Sequence, residues 1–171
     1  TSLEDGPLLL AGTDPYAPKL VKEIRRLGVK KLVLIGGENS LSSSLEEKLK
    51  EETGLETTRI SGRSRFDTSL VIGQSLAREK EIKEVYLVNA FNEADAISAA
   101  GPSSALTRPL LLSSKDKLDP GVKDLIMDLG VEKVYLIGGE NSLTKDLEDQ
   151  IRDLGPSVTL SLIHISEPTR P

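Results

Sequence analysis

The chain of 171 residues contains no cysteine, so disulfides and thiolate metal sites are excluded from the outset. It has no tryptophan, three tyrosines and two phenylalanines. Any core is therefore aliphatic, and carbohydrate stacking on Trp is impossible. No apolar run approaches the roughly 18 residues of a membrane-spanning helix, so membrane insertion is not expected. Net charge is -5, with Lys, Arg, Glu and Asp intermixed along the chain. Nucleic-acid binding needs a clustered basic face, and none is present. One histidine occurs, His164, and it lies in the last eleven residues.

What is present is a repeat. PLLL, LGV and LIGGENSL each occur twice, 102 positions apart. Pro7 corresponds to Pro109, Gly28 to Gly130, and Gly36-Gly37 to Gly138-Gly139. Laying residues 7–54 on 109–156 without a gap gives 21 identities in 48 positions. A period of this length is near domain size, too long for one turn of a solenoid. It predicts one nearly complete module and the C-terminal part of a preceding one. The chain begins at Thr1, and it reads as a piece of a longer protein.

Local patterns predict alternating strands and helices. Residues 8–11, 31–35, 57–60, 84–89, 110–112 and 133–137 read as short strands. Asp14-Pro15 reads as a helix start, with Leu20, Val21, Ile24 and Leu27 on one face and Gly28 as the stop. Ser42 or Ser43 begins a helix carrying Leu45 and Leu49. Further helices are expected over 66–79, over 94–100 up to a stop or kink at Gly101-Pro102, after Asp119-Pro120, and from Thr144. Apolar strands alternating with helices predict an α/β fold, a Rossmann-like parallel sheet covered on both faces.

The last eleven residues leave the pattern. SLIHISEPTRP shares one identity with RISGRSRFDTS, its counterpart at the same offset. It resembles a translated sequencing adapter and is set aside from functional reasoning, although VTLSLI can extend as a strand.

Four segments bear chemistry. In LIGGENS a strand runs through Gly-Gly into a helix. That arrangement is either a phosphate cradle or a turn requiring positive φ. It lacks the nucleotide-binding signatures. Ser40, Ser42, Ser142 and Thr144 have no histidine to activate them, and helix capping is the better reading. In RISGRSRFDTS, Arg59, Arg63 and Arg65 can fork onto phosphate or carboxylate groups of a ligand, or pair structurally with Asp67. Asp95 follows strand 84–89, where open α/β sheets bind ligands, and equally suits a helix N-terminus. Glu93 and Asp95 alone make no convincing metal site. No cofactor is expected.

RISGRSRFDTSLVIGQSLA, VYLVNAFNEADAISAAGPSSAL, RPLLLSS and KVYLIGGENSLT occur in that order. Together they resemble the cell wall binding repeat type 2 family, tandem modules of bacterial surface proteins. The chain departs from the family pattern at Phe66, where Tyr is usual, and at Asn92-Glu93-Ala94, where an aromatic-Pro pair is common. The resemblance implies residues 1–58 as the end of one repeat, 59–157 as a second, and 158–171 as a repeat edge and tail. It implies noncovalent anchoring to a cell wall polysaccharide or teichoic-acid-like polymer, an anionic secondary polymer, with no catalysis. The implied location is extracellular, at the wall or cell surface, and the implied protein partners are neighbouring repeats. The polymer contacts it implies are Arg59, Arg65, Pro109, Leu110 and Leu111, with Pro7, Leu8 and Leu9 in the partial copy. Asp95 joins this set from its place after strand 84–89. Two alternatives are a phosphorylated-ligand-binding domain of an enzyme and a purely structural surface-layer module.

Overall fold

The computed structural model describes residues 6–12, 18–106 and 108–161. The chain divides into two compact units between Ile72 and Gly73. The division falls inside one helix, α3 (Arg65–Glu79). The expected helix start at Asp14-Pro15 and His164 in the tail lie outside the described residues.

The first unit is a β–α–β piece with a helix ahead of it. α1 (Pro18–Leu27) buries Val21 and Ile24, three residues apart on one face. Gly28, at φ 62, ends it. β1 (Lys31–Ile35) runs parallel to β2 (Glu56–Ile60), with Lys31 beside Glu56. α2 (Ser43–Thr53) connects them. Leu34 from β1, Leu45 and Leu49 from α2, and the α1 pair form the core. Ser42 caps α2, its Oγ accepting the Leu45 N–H at 3.2 Å.

Residues 8–11 form no strand, contrary to their apolar pattern. Their counterparts at 110–113 do, by pairing with residues 86–89. Among the described residues no strand lies beside residues 8–11 to supply hydrogen bonds, so the run has the composition of a strand without the pairing.

The second unit holds four parallel strands: β3 (Glu84–Asn89), β4 (Leu110–Ser113), β5 (Lys133–Ile137) and β6 (Ser157–Ser161). Their order is β4-β3-β5-β6. Both faces of β3 are buried. Tyr86 and Val88 meet Ala99 of α4 (Glu93–Leu106) on one side. Val85 and Leu87 lie fully buried on the other. Leu111, in register with Leu87, shares that second face with α3 and α5 (Pro120–Asp128). A Cβ on Gly73 of α3 would stand 3.1 Å from Leu111 and 3.3 Å from Leu125 of α5. α6 (Lys145–Arg152) packs along β6. No helix of the described residues is long and apolar enough to cross a membrane.

α4 does not stop at Gly101-Pro102 but continues to Leu106. An interior proline costs about 3 kcal/mol. Ala99 and Ser103, buried on either side of the Gly-Pro pair, hold the helix against the sheet through that break.

Both copies of LIGGENSL form the same strand, turn and helix. Gly36 and Gly138 adopt φ 133 and 123. The Gly37 carbonyl accepts the Ser40 and Leu41 N–H groups, and the Gly139 carbonyl accepts those of Ser142 and Leu143. The match then slips by one residue. Lys31 pairs with Glu56, 25 positions on, whereas Lys133 pairs with Ser157, 24 on. The gapless frame therefore ends within the helices, and Leu160 is the register counterpart of Arg59.

Capping also differs between the copies. Thr144 makes no side-chain cap bond to α6. Ser42→Ala is expected to lower stability by about 1 kcal/mol. Thr144→Ala should stay within about 0.5 kcal/mol. Urea unfolding of both variants checks this, and equal losses would contradict it.

Candidate functional site

From β3 the chain steps to one side to form β4, then returns across the opposite face to β5. The strand order therefore reverses between β3 and β5, and sheets of this kind bind ligands at such a point. The loops meeting there are Ala90–Asn92 and Gly138–Thr144.

These loops are tied together by side chains. The Asn89 Nδ2 donates to the Ser142 carbonyl at 2.8 Å, and its Oδ1 accepts the Phe91 N–H at 2.9 Å. The Ser142 hydroxyl donates to Asp95 Oδ2 at 2.6 Å. Asn92 Nδ2 reaches the same carboxylate oxygen at 2.7 Å and the Ser142 Oγ at 3.1 Å. Asn92 Oδ1 also accepts the Asp95 N–H at 3.3 Å, a cap bond at the start of α4. Asn89 and Ser142 are buried.

Asp95 does more than face a helix dipole. A Cβ on Gly138 would stand 2.4 Å from its Oδ2. The carboxylate thus occupies the space beside the Gly-Gly turn where a phosphate cradle would hold its anion. An incoming phosphate would have to displace it against like charge. In this copy the turn reading of Gly138-Gly139 holds and the cradle reading does not. Ser142 is no free nucleophile, since its hydroxyl is buried and committed to Asp95. It is also no helix cap.

The arginine segment resolves into separate roles. Arg59 projects from β2 to α2. Its Nε donates to Glu46 Oε2 at 2.9 Å, and its Nη1 to the Gly36 carbonyl at 2.7 Å. Nη2 lies 2.8 Å from the same carboxylate oxygen, at ion-pair distance but without hydrogen-bond alignment. Hydrogen bonds from Lys50 and then Arg59 hold the Glu46 carboxyl below its ordinary pKa. Arg63 is exposed and lies 3.4 Å from Asp67. Arg65 is exposed at the first position of α3. The cap of α3 is Ser64, whose Oγ accepts the Asp67 N–H at 3.1 Å.

The remaining expected contacts are split by burial. Leu111 is fully buried and Pro109 is buried, so their side chains serve packing and offer a polymer no surface. Leu110 is half-buried against the α4 side. Pro7 and Leu8 are exposed, and Leu9 packs onto the first unit's core. Pattern reading overlooked Asn89, Asn92 and Gly138 as partners of Asp95. Two asparagines bracketing a strand end were the available signal.

It also overlooked a cluster around Arg108. This guanidinium pairs with Glu84, donates to the Tyr86 hydroxyl at 3.0 Å, and lies 4.6 Å from the Tyr135 ring centroid.

The sequence profile of Cell wall binding domain 2 (CWB2) matches residues 59–148. N-acetylmuramoyl-L-alanine amidase LytC of Bacillus subtilis is 24% identical over 147 residues, covering 86% of this chain and 28% of LytC. The amidase enhancer of the same organism is 28% identical over 149 residues, covering 86% of this chain and 19% of that protein. Among solved structures, Cwp6 from Clostridium difficile aligns with TM-score 0.83 at 28% identity, over 94% of this chain and 26% of Cwp6. Cwp8 from the same organism aligns with TM-score 0.64 at 32% identity, over 80% of this chain and 22% of Cwp8. The chain spans 28% or less of each of these four proteins.

Proposed function

Because the chain belongs to the cell wall binding domain 2 family, we propose that it holds a surface protein noncovalently on a bacterial cell wall polymer, outside the cell, without turning anything over. The family match carries this reading. The crevice between β3 and β5 supports its non-catalytic half, since Asp95, Asn92 and Ser142 fill it with bonds to one another. The polymer is an anionic secondary polymer, met by local guanidinium groups on a chain of net negative charge. Neighbouring repeats of the same polypeptide add weak sites into useful avidity.

Arg63 and Arg65 are the contacts nearest the solvent. Pro7 and Leu8 offer exposed apolar surface in the partial copy. Arg59, Pro109, Leu111 and Asp95 act behind them by holding β2, β4 and the β3–α4 loop in place.

Replacing Arg63 and Arg65 together by alanine is expected to reduce co-sedimentation with purified Gram-positive walls roughly tenfold, the equivalent of about 1.4 kcal/mol. The dependence on salt should flatten as well, because fewer charges are neutralised on binding. The comparison is made on a tandem fusion of two copies, with folding checked by circular dichroism. Unchanged sedimentation and an unchanged salt slope would place the contact elsewhere.

A further inference from the structure

Charges are intermixed along most of the chain, but one stretch breaks the rule. Residues 18–31, which hold α1 and enter β1, carry six basic residues and one acid, Glu23. Their counterparts at 120–133 carry two basic residues and three acidic ones. At three matched positions the sign is inverted. Lys22 stands where the second copy has Asp124, Arg26 where it has Asp128, and Lys30 where it has Glu132. Between them the scaffold is kept, with Ile24 matching Ile126, Leu27 matching Leu129 and Gly28 matching Gly130.

Lys22, Arg26 and Lys30 are exposed, and so are Asp124, Asp128 and Glu132. Exposure at these positions therefore belongs to the module. It persists in the second unit, where α3 lies against Leu125 of α5. Lys22 and Arg26 are one helical turn apart, about 6 Å along the axis. Lys30 follows two residues after the glycine that ends the helix. Neither the Lys22 nor the Lys30 ammonium has an ion-pair partner among the described residues. Arg26 pairs with Glu23 in solvent, a contact worth little. Arg25 differs, since it donates to the Glu52 carbonyl and serves the packing of α1 on α2. A helix dipole favours cations in the last turn. Yet α5 has no basic residue there and forms the same helix. The fold does not account for the basic row.

We propose that Lys22, Arg26 and Lys30 are a second contact for the wall polymer, one that takes a linear polyanion with phosphodiester or carboxylate groups recurring along its chain. The proposal rests on the wall-anchoring reading and makes the two copies unequal. The first copy holds the polyanion along α1, and the matching face of the second repels it. On a chain of net charge -5, the row also fixes where such a polymer approaches.

The second copy supplies the substitutions, since its own fold carries them. Lys22→Asp, Arg26→Asp and Lys30→Glu together are expected to weaken co-sedimentation with purified Gram-positive walls about tenfold and to flatten its salt dependence. The opposite exchange, Asp124→Lys with Asp128→Arg, should strengthen it severalfold. Poly(glycerol phosphate) teichoic acid and polygalacturonate are added as competitors, and whichever competes tells phosphate from carboxylate. Neutral dextran should not compete. If circular dichroism shows the triple variant unfolded, Lys22→Gln, Arg26→Gln and Lys30→Gln take its place. Failure of the unaltered chain to bind walls sinks the anchoring reading itself. Binding by the unaltered chain that the triple variant matches, or that neither polyanion competes for, overturns this proposal alone. A triple variant that changes only self-association also overturns it, and assigns the row to the acidic α5 face of a second copy.

Discussion

Gly138→Ala is expected to destabilise the second unit by about 3 kcal/mol, combining roughly 1–3 kcal/mol of backbone strain with a similar overpacking term. At φ 123 a side chain is strained whatever the space around it. Here space is also lacking, because the new Cβ would stand 2.4 Å from Asp95 Oδ2 and 2.9 Å from Ser142 Cβ. For a chain of this size the melting temperature should fall by roughly 6–12 °C. The repeat supplies its own control. Gly36 has φ 133 but no atom nearer than 3.5 Å to the same Cβ. Gly36→Ala should therefore show the strain alone, about 1–2 kcal/mol. Adding Asp95→Ala to Gly138→Ala should cost less than the sum of the two single changes, a non-additivity expected of groups in contact, with the Ser142 Cβ contact at 2.9 Å remaining. Equal losses at the two glycines would mean that Asp95 does not press on the turn.

Gly62→Ala should be at least as damaging, for a different reason. Its φ lies outside the positive range, so the backbone itself tolerates a side chain. The obstacle is the first turn of α3. A Cβ would meet Asp67 Cβ at 2.2 Å, the Asp67 carbonyl carbon at 2.5 Å and the Thr68 nitrogen at 2.7 Å. Two of these are backbone atoms, so no rotamer change relieves the clash and the helix start has to move. That movement breaks the bond from the Gly62 N–H to Thr68 Oγ1 and pulls on the Ser64 cap. A loss of about 3 kcal/mol follows, at or above the upper end for overpacking. Gly37 is the matching control, because its nearest neighbour is 3.8 Å away and no φ constraint applies. Gly37→Ala should change stability by less than about 1 kcal/mol. Urea titration followed by circular dichroism separates the two, and an unaltered midpoint for Gly62→Ala would refute the close approach.

The sequence announced what depends on neighbours in the chain. Asp119 accepts the Gly121 N–H as the Asp-Pro pair indicated, and Gly28 and Gly130 end their helices at positive φ. It misled where a distant partner decides. Residues 8–11 carry the composition of β4 without its neighbour. Gly101-Pro102 looks like a helix end until Ala99 and Ser103 are seen against the sheet. Arg59 reads as a ligand contact, yet it meets Glu46, thirteen residues earlier, because parallel pairing brings β2 beside β1 and under α2. Asp95 stood out from its place after a strand. Its seat on Gly138 follows from a strand order that no local pattern encodes.

Those pairings also carry unequal entropic costs of closure. Lys133 and Ser157 enclose about half as much chain as Glu84 and Lys133 do. Each doubling of a loop costs about 0.6 kcal/mol more in lost chain freedom. β5–α6–β6 is therefore a cheaper stretch of sheet to close than the β3–β5 joint. β1–α2–β2 encloses nearly the same length as β5–α6–β6. The stretch that this chain carries twice is one that gives up comparatively little freedom to form.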